Sequence, residues 1–267
     1  MGRFIVTGTP RSATRYASKL FEACGVPCRH ESALRPSTSI VDVARWFNDR
    51  LGAGESTWMG WTVLPLLDAD IPVFHTIRNP WDVIDSLCNR NAIFKDQSKF
   101  RTNVMVAIRD MIDAFCPGVM DHKNRVDRVA DFVVSWNQRI AEAAPYRFTY
   151  RVDALDVKTL RAMLHHIGKE RSESVLEKAL ATTPTNVNSG YTVTETNCIS
   201  DPLVEKFVLE MAEQTKCNAV FTRKLKNKPD YSTPQELAAG MKPELLERVN
   251  NYAQQYGYLQ VPSLTKE

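Results

Sequence analysis

Apolar residues along this chain fall into two patterns, short unbroken runs and longer stretches with helical spacing. Phe4-Ile5-Val6 is the first run. An unbroken apolar triplet suits a strand buried on both faces of a parallel sheet, whereas an edge strand would alternate. From Thr14 the period changes: Ala17, Leu20, Phe21 and Cys24 recur at helical spacing, and Gly25 is placed to end the helix. Pro72 to Arg78, PVFHTIR, reads as a second strand, followed by Asn79 as N-cap and Pro80 at the first helical position. Arg147 to Val152, RFTYRV, reads as a third. Further amphipathic helices are predicted at 39–51, closed by Gly52, at 100–115, at 126–144, at 157–167, ended by Gly168, and at 244–256.

Strands alternating with helices predict an α/β fold with a central parallel sheet and helices on both faces, a three-layer α/β/α arrangement. No internal repeat or low-complexity tract divides the chain. A single domain over residues 1–267 is therefore expected, with a helical C-terminal part from about residue 169 and a mobile connection at 224–234.

Composition adds limits. The 267 residues are 43% hydrophobic and 24% charged, ordinary for a globular protein. Basic residues number 34 against 31 acidic, too small an excess for a nucleic-acid binder, whose footprint is a strong basic patch. The cysteines Cys24, Cys28, Cys88, Cys116, Cys198 and Cys217 show no C-x₂-C spacing, which predicts reduced structural thiols and no thiolate metal site. No apolar stretch approaches the roughly 20 residues of a membrane span, and no signal-like segment opens the sequence. A soluble, cytoplasmic protein is expected.

The candidate chemistry concentrates where the first two strands meet their helices. Ligands of parallel sheets bind there, because unpaired backbone N–H groups and the helix dipole favour an anion. In the first loop Gly8 permits a tight turn, Arg11 adds a fixed positive charge, and Ser12 and Thr14 add hydroxyls. The implied ligand carries a phosphate-like group. A nucleotide-triphosphate loop needs G-x-x-x-x-G-K-[ST], and GTPRSAT from Gly8 has neither the second glycine nor the lysine. In the second loop Arg78 ends the strand, and a cap at Asn79 puts Ser86 nearly two helical turns on, on the same face.

Together these loops resemble the sulfotransferase family that uses 3′-phosphoadenosine 5′-phosphosulfate (PAPS), and are closer to its carbohydrate-type and bacterial members. Pro10-Arg11-Ser12-Ala13-Thr14, with Arg15 beside it, resembles the family's P-[KR]-S-G-T loop that grips the 5′-phosphosulfate. Arg78-Asn79-Pro80 followed by Ser86 resembles its R-[ND]-P-x₅-S pattern, whose arginine and serine bind the 3′-phosphate. Tyr150 to Leu155, YRVDAL, and Tyr256-Gly257-Tyr258 are similar to two further family segments. The resemblance implies a P-loop NTPase-like fold, PAPS as donor, 3′-phosphoadenosine 5′-phosphate (PAP) as product, and no metal. It implies a carbohydrate or small-molecule acceptor with a hydroxyl, or an amine. The sequence departs from the pattern at Ala13, a glycine in the family, and at Arg223-Lys224, which lacks the glycine of a C-terminal clamp. Asn186 to Gly190, NVNSG, is either a surface turn or a loop over the nucleotide.

Sulfuryl transfer to a hydroxyl needs a base near the incoming oxygen and positive charge near the oxygen left on phosphate. The family resemblance assigns the base to Glu31, within GVPCRHE, and the charge to Arg11; His30 is the rival base. His75 lies inside a strand, where a hydrogen-bonded core histidine is expected. The acceptor is expected between Ser32 and Gly60 and beside the helices after Asn89, with Trp46, Trp58 and Trp61 either stacking on a sugar or packing. Two other classes fit the loops: a P-loop nucleotide or small-molecule kinase, and a non-catalytic nucleotide-binding protein of the same fold.

Overall fold

The N-terminal apolar run becomes strand β1 (Phe4–Thr7), the middle strand of a five-stranded, all-parallel sheet. The computed structural model describes residues 3–31, 53–68, 70–90, 94, 103–184 and 233–262. After β1 come α1 (Thr14–Ala23), β2 (Cys28–His30), β3 (Gly54–Ser56), a 3₁₀ helix (Gly60–Leu66), β4 (Val73–Ile77), α2 (Pro80–Arg90), α3 (Asn103–Phe115), α4 (Arg125–Ala143) and β5 (Phe148–Arg151). Helices α5 (Val157–His166), α6 (Glu173–Thr182), α7 (Pro234–Ala239) and α8 (Pro243–Gln255) complete the described fold. Strand order is β2-β3-β1-β4-β5, with Phe4 opposite Gly54 and Ile5 opposite Val73. The predicted helix at 39–51 lies outside the described residues, as do Trp46, Asn186 to Gly190, Arg223, Lys224, Cys198 and Cys217.

Each face of the sheet has its own core, because side chains alternate along a strand. Phe4, Val6, Phe74 and Tyr150 point to one face, where α1, α5 and α6 pack. Ile5 and Ile77 point to the other, covered by the 3₁₀ helix, α2, α3, α4, α7 and α8. This is a three-layer α/β/α fold. The helices after neighbouring strands β1 and β4 therefore leave on opposite faces. Such a divergence opens a crevice at the carboxyl ends of the two strands, the usual ligand position in this architecture.

Gly54 allows the sheet to close around Phe4. A Cβ on Gly54 would overlap the Phe4 ring, which is already held by Phe21 and Phe74 at 4.5 and 5.7 Å between ring centres. Gly54→Ala is expected to destabilise the protein by about 1–3 kcal/mol, the usual cost of overpacking a filled core. Urea denaturation followed by circular dichroism measures it.

On the opposite face Trp58 and Trp61 pack against Trp136, at 5.2 and 5.0 Å between ring centres. These two tryptophans are core residues. No described helix is long and apolar enough to cross a membrane. Cys24, Cys28 and Cys116 are buried free thiols, and Cys88 is buried as well.

Candidate functional site

The loop after β1 is pressed against β4. A Cβ on Gly8 would stand 2.7 Å from both the Thr76 carbonyl oxygen and its Cγ2, so the backbone approach requires glycine. The loop is braced from inside: Ser12 Oγ donates to Thr9 O at 2.5 Å, and Thr76 Oγ1 donates to Ser12 O at 2.9 Å. Ser12 was a candidate ligand donor in the sequence. Its buried hydroxyl instead holds the shape of the turn.

Helix α1 starts at Thr14 with Ala13 as N-cap, no side-chain cap and no acidic residue in the first turn. Its N-terminal partial charge is thus left for something outside the helix. The start of α2 differs. Asn79 Oδ1 accepts from Trp81 N at 3.1 Å, and Asp82 supplies a carboxylate in the first turn. Positive charge at the second loop therefore comes from Arg78, whose Nη2 lies 3.8 Å from Asp82 Oδ2.

Arginines bind the two loops together. Arg11 Nε donates to Ser86 Oγ at 2.8 Å, and Arg78 Nη1 donates to the Arg11 carbonyl at 3.3 Å. The sequence pairs Ser86 with Arg78; the structure pairs it with Arg11. The reason is the route of the loop, which turns back across the crevice so that Arg11 reaches α2. Pro10, Arg11, Ser12, Ala13, Thr14, Arg15 and Arg78 lie at the carboxyl ends of β1 and β4 or in the first turn beyond, and Ser86 lies in the second turn of α2.

Among the described residues, the non-glycine residues with positive φ are Arg11 (74°), Ala13 (68°) and Glu31 (50°). Arg11 and Ala13 follow β1 and Glu31 follows β2, with β3 between the two strands, so all three lie at the carboxyl edge of the sheet. Left-handed backbone costs an L-residue roughly 1–2 kcal/mol, and such strain gathers at functional sites. Ala13→Gly is expected to relieve it and raise stability by about 0.5–1 kcal/mol, after subtracting the greater freedom of glycine in the unfolded chain. Thermal melts of the two proteins, side by side, measure the gain.

At the end of β2, His30 and Glu31 come together in a way that simple alternation excludes. An extended chain would send them to opposite faces. Glu31 instead turns left-handed, and its Oε1 lies 3.8 Å from His30 Nε2. Thr14 Oγ1 lies 3.3 Å from the same nitrogen. Burial, then the Glu55 carboxylate, push the Glu31 carboxyl up to about 7 against the opposing charge of Arg15, although 38% of its side chain stays exposed. Burial, with Arg15 and Lys19, pushes His30 down to about 4. At neutral pH Glu31 is therefore the stronger base and His30 is uncharged.

His75 is a core residue. Arg147 Nε donates to its Nδ1 at 3.2 Å, so Nε2 carries the proton and donates to Asn137 Oδ1 at 2.8 Å. Both ring nitrogens are occupied away from the crevice.

One contact cluster went unread as a cluster. Arg151, at the end of β5, donates to Asp153 Oδ2 at 2.7 Å and to Gly257 O at 3.2 Å, and lies 4.2 Å over the Tyr258 ring. Tyr258 Oη donates to Asp153 Oδ1 at 2.6 Å. The two segments YRVDAL and YGY are thus one structural unit that ties the chain after α8 to the sheet edge. Among the described residues no group of three or more His, Cys, Asp or Glu is placed to hold a metal ion. The chain matches no protein-family model and no curated protein in sequence, which leaves these side chains and their geometry as the ground for a functional reading.

Proposed function

We propose that the protein is a sulfotransferase that moves the sulfuryl group of PAPS to a hydroxyl, or an amine, of a carbohydrate or small molecule. The observation that carries the reading is the pair of arginine-bearing loops after β1 and β4, with a glutamate raised to about 7 after β2 that reaches Thr14 of α1 through His30. Supporting such a donor, α1 has no side-chain cap at its N-terminus, Gly8 allows close backbone approach, and Arg78 bonds the backbone of Arg11 across the two loops. Arg11, Thr14 and the first turn of α1 hold the 5′-phosphosulfate. Arg78 holds the 3′-phosphate, and Ser86 holds Arg11 in place. PAPS supplies the sulfuryl group and leaves as PAP. Glu31 takes the acceptor proton as the acceptor oxygen bonds to sulfur, and Arg11 stabilises the charge left on the phosphate oxygen as its bond to sulfur breaks.

Calorimetry and transfer assays together test this. PAP is expected to bind, and the nucleotide lacking the 3′-phosphate is expected to bind at least roughly tenfold more weakly, since a charge-assisted contact contributes about 1.5–3 kcal/mol. Sulfur-labelled PAPS with pooled hydroxyl and amine acceptors should give labelled product. Equal binding of the two nucleotides removes the role given to Arg78. Turnover of ATP with magnesium, and none of PAPS, makes the protein a kinase; tight PAP binding with no transfer makes it a binding protein.

A further inference from the structure

Thr14, His30 and Glu31 form a line that the transfer step as proposed leaves partly unused. Thr14 Oγ1 lies 3.3 Å from His30 Nε2, a hydrogen bond in which either atom can donate, and that nitrogen also lies 3.8 Å from Glu31 Oε1. A single ring atom faces the first hydroxyl of the phosphate loop's helix on one side and the base on the other. Thr14 is 5% exposed, and its carbonyl accepts from Ser56 Oγ at 2.6 Å, so its backbone is held while its hydroxyl hydrogen can turn. We propose that His30 is a positioning residue that couples anion binding in the loop to ionisation of Glu31. The coupling rests on the loop being an anion site, as read above.

The logic is that of one hydrogen with two possible acceptors. Without an anion, the Thr14 hydroxyl donates to His30 Nε2, and the ring keeps its proton on Nδ1. Nε2 then remains an electron-rich atom 3.8 Å from Glu31 Oε1, which favours the protonated acid. With an anion in the loop, Thr14 donates to it and offers His30 only lone pairs. His30 answers by changing tautomer: Nδ1 gives a proton to water and Nε2 takes one from water, with no change in ring charge. Nε2, now bearing a hydrogen, presents positive potential to Glu31 Oε1 3.8 Å away and favours the carboxylate. Donor binding thereby readies the base, and by linkage an ionised Glu31 tightens the hold on the anion.

The other charged groups around Glu31 do not switch in this way. Among the described residues these are Arg15 from α1 and Glu55 from β3, with Lys19 of α1 acting on His30 and Arg29 two positions back on β2. Their charges set the resting balance. His30 lies against both Thr14 of the loop's helix and Glu31. The anion's own charge pushes the opposite way, because a negative neighbour disfavours a carboxylate. The sign of the effect therefore separates the relay from simple repulsion.

A carbon NMR titration of protein labelled at glutamate Cδ reads that sign directly, with the Glu31 signal assigned by its loss in Glu31→Gln. The titration is run free and saturated with PAP, and separately with inorganic pyrophosphate. The Glu31 midpoint is expected to fall by roughly one pH unit on saturation in the native protein. In His30→Phe and in Thr14→Val the same anion is expected to raise it, since repulsion alone remains. A rise in the native protein, or a fall that persists in both variants, overturns the relay while the anion site stands. Binding of pyrophosphate but not PAP overturns the nucleotide reading and still measures the relay; binding of neither overturns both.

Discussion

Replacing Glu31 by glutamine is expected to slow transfer by roughly 10²–10⁴-fold, the usual contribution of a general base, with little change in nucleotide affinity. Glutamine keeps the size and the hydrogen bonding but has no basic lone pair of comparable strength. The pH dependence supplies the sharper signature. Glu31 is raised from its ordinary 4.5 to about 7 by burial first and Glu55 second, so the rate of the native protein should climb with pH below about 7 and level off above it. The glutamine variant should lack that limb. Stability should respond with the opposite sign. A carboxyl raised on folding contributes stability that is fully present below 4.5 and lost as pH rises through about 7. The native protein should therefore lose ground to Glu31→Gln across that window and stay level above it. Melting temperatures between pH 4 and 9 provide the check. His30→Asn run beside it tests the rival: an active glutamine variant with a dead asparagine variant moves the base to His30.

Arg11→Ala is expected to cost turnover about 10²–10³-fold, more than it costs affinity for PAP. In the proposed transfer the guanidinium would stand where charge develops on the oxygen released from sulfur, a charge that is greatest in the transition state. The substitution also strands Ser86 Oγ, a buried hydroxyl that now accepts from Arg11 Nε at 2.8 Å. Part of any loss is thus structural, on the order of 1–3 kcal/mol for a stranded buried group. Ser86→Ala and the double variant separate the two parts. If the rate loss belongs to Arg11 itself, Ser86→Ala keeps most of the turnover and Arg11→Ala does not. Equal losses of rate and affinity in Arg11→Ala would make it an ordinary binding residue.

The elements that the sequence revealed are those with strong periodicity or clear punctuation. Phe4-Ile5-Val6, the Asn79-Pro80 cap and the apolar stripe of α4 each carry a local signal, and each appears where that signal puts it. Strands β2 and β3 went unread because Cys28-Arg29-His30 and Gly54-Glu55-Ser56 contain no apolar run. They are strands because their neighbours pair with them, with Arg29 opposite Glu55 and Ile5 beyond. Helix α6 falls in the part expected to be helical from about residue 169 but buries only Leu176 and Ala179 within its bounds, and α7, six residues long, is too short to show a stripe, though Thr233 and Glu236 form a capping box that a search for that signature would have found. The positions of the two loops at strand ends were legible, and the hydrogen-bond partners of their side chains were not. No local pattern says that Ser86 answers to Arg11 and not to Arg78, or that Glu31 turns left-handed toward His30. Those facts depend on the route of a loop across a crevice that two distant strands create.

The central position of β1 also governs how the protein must fold. Its partners are β3, starting at Gly54, and β4, starting at Val73, and it pairs with neither β2 nor anything nearer. During synthesis β1 leaves the ribosome well before either partner, as a bare Phe-Ile-Val segment with no hairpin to join. A sheet whose middle strand waits on distant ones has a high contact order, so the search for it is slow and its intermediates expose sticky edges. Refolding from denaturant should accordingly take milliseconds to seconds or longer and give falling yields as protein concentration rises. Chaperones that shelter short apolar segments would act on this chain chiefly in the interval between the making of β1 and the making of β4.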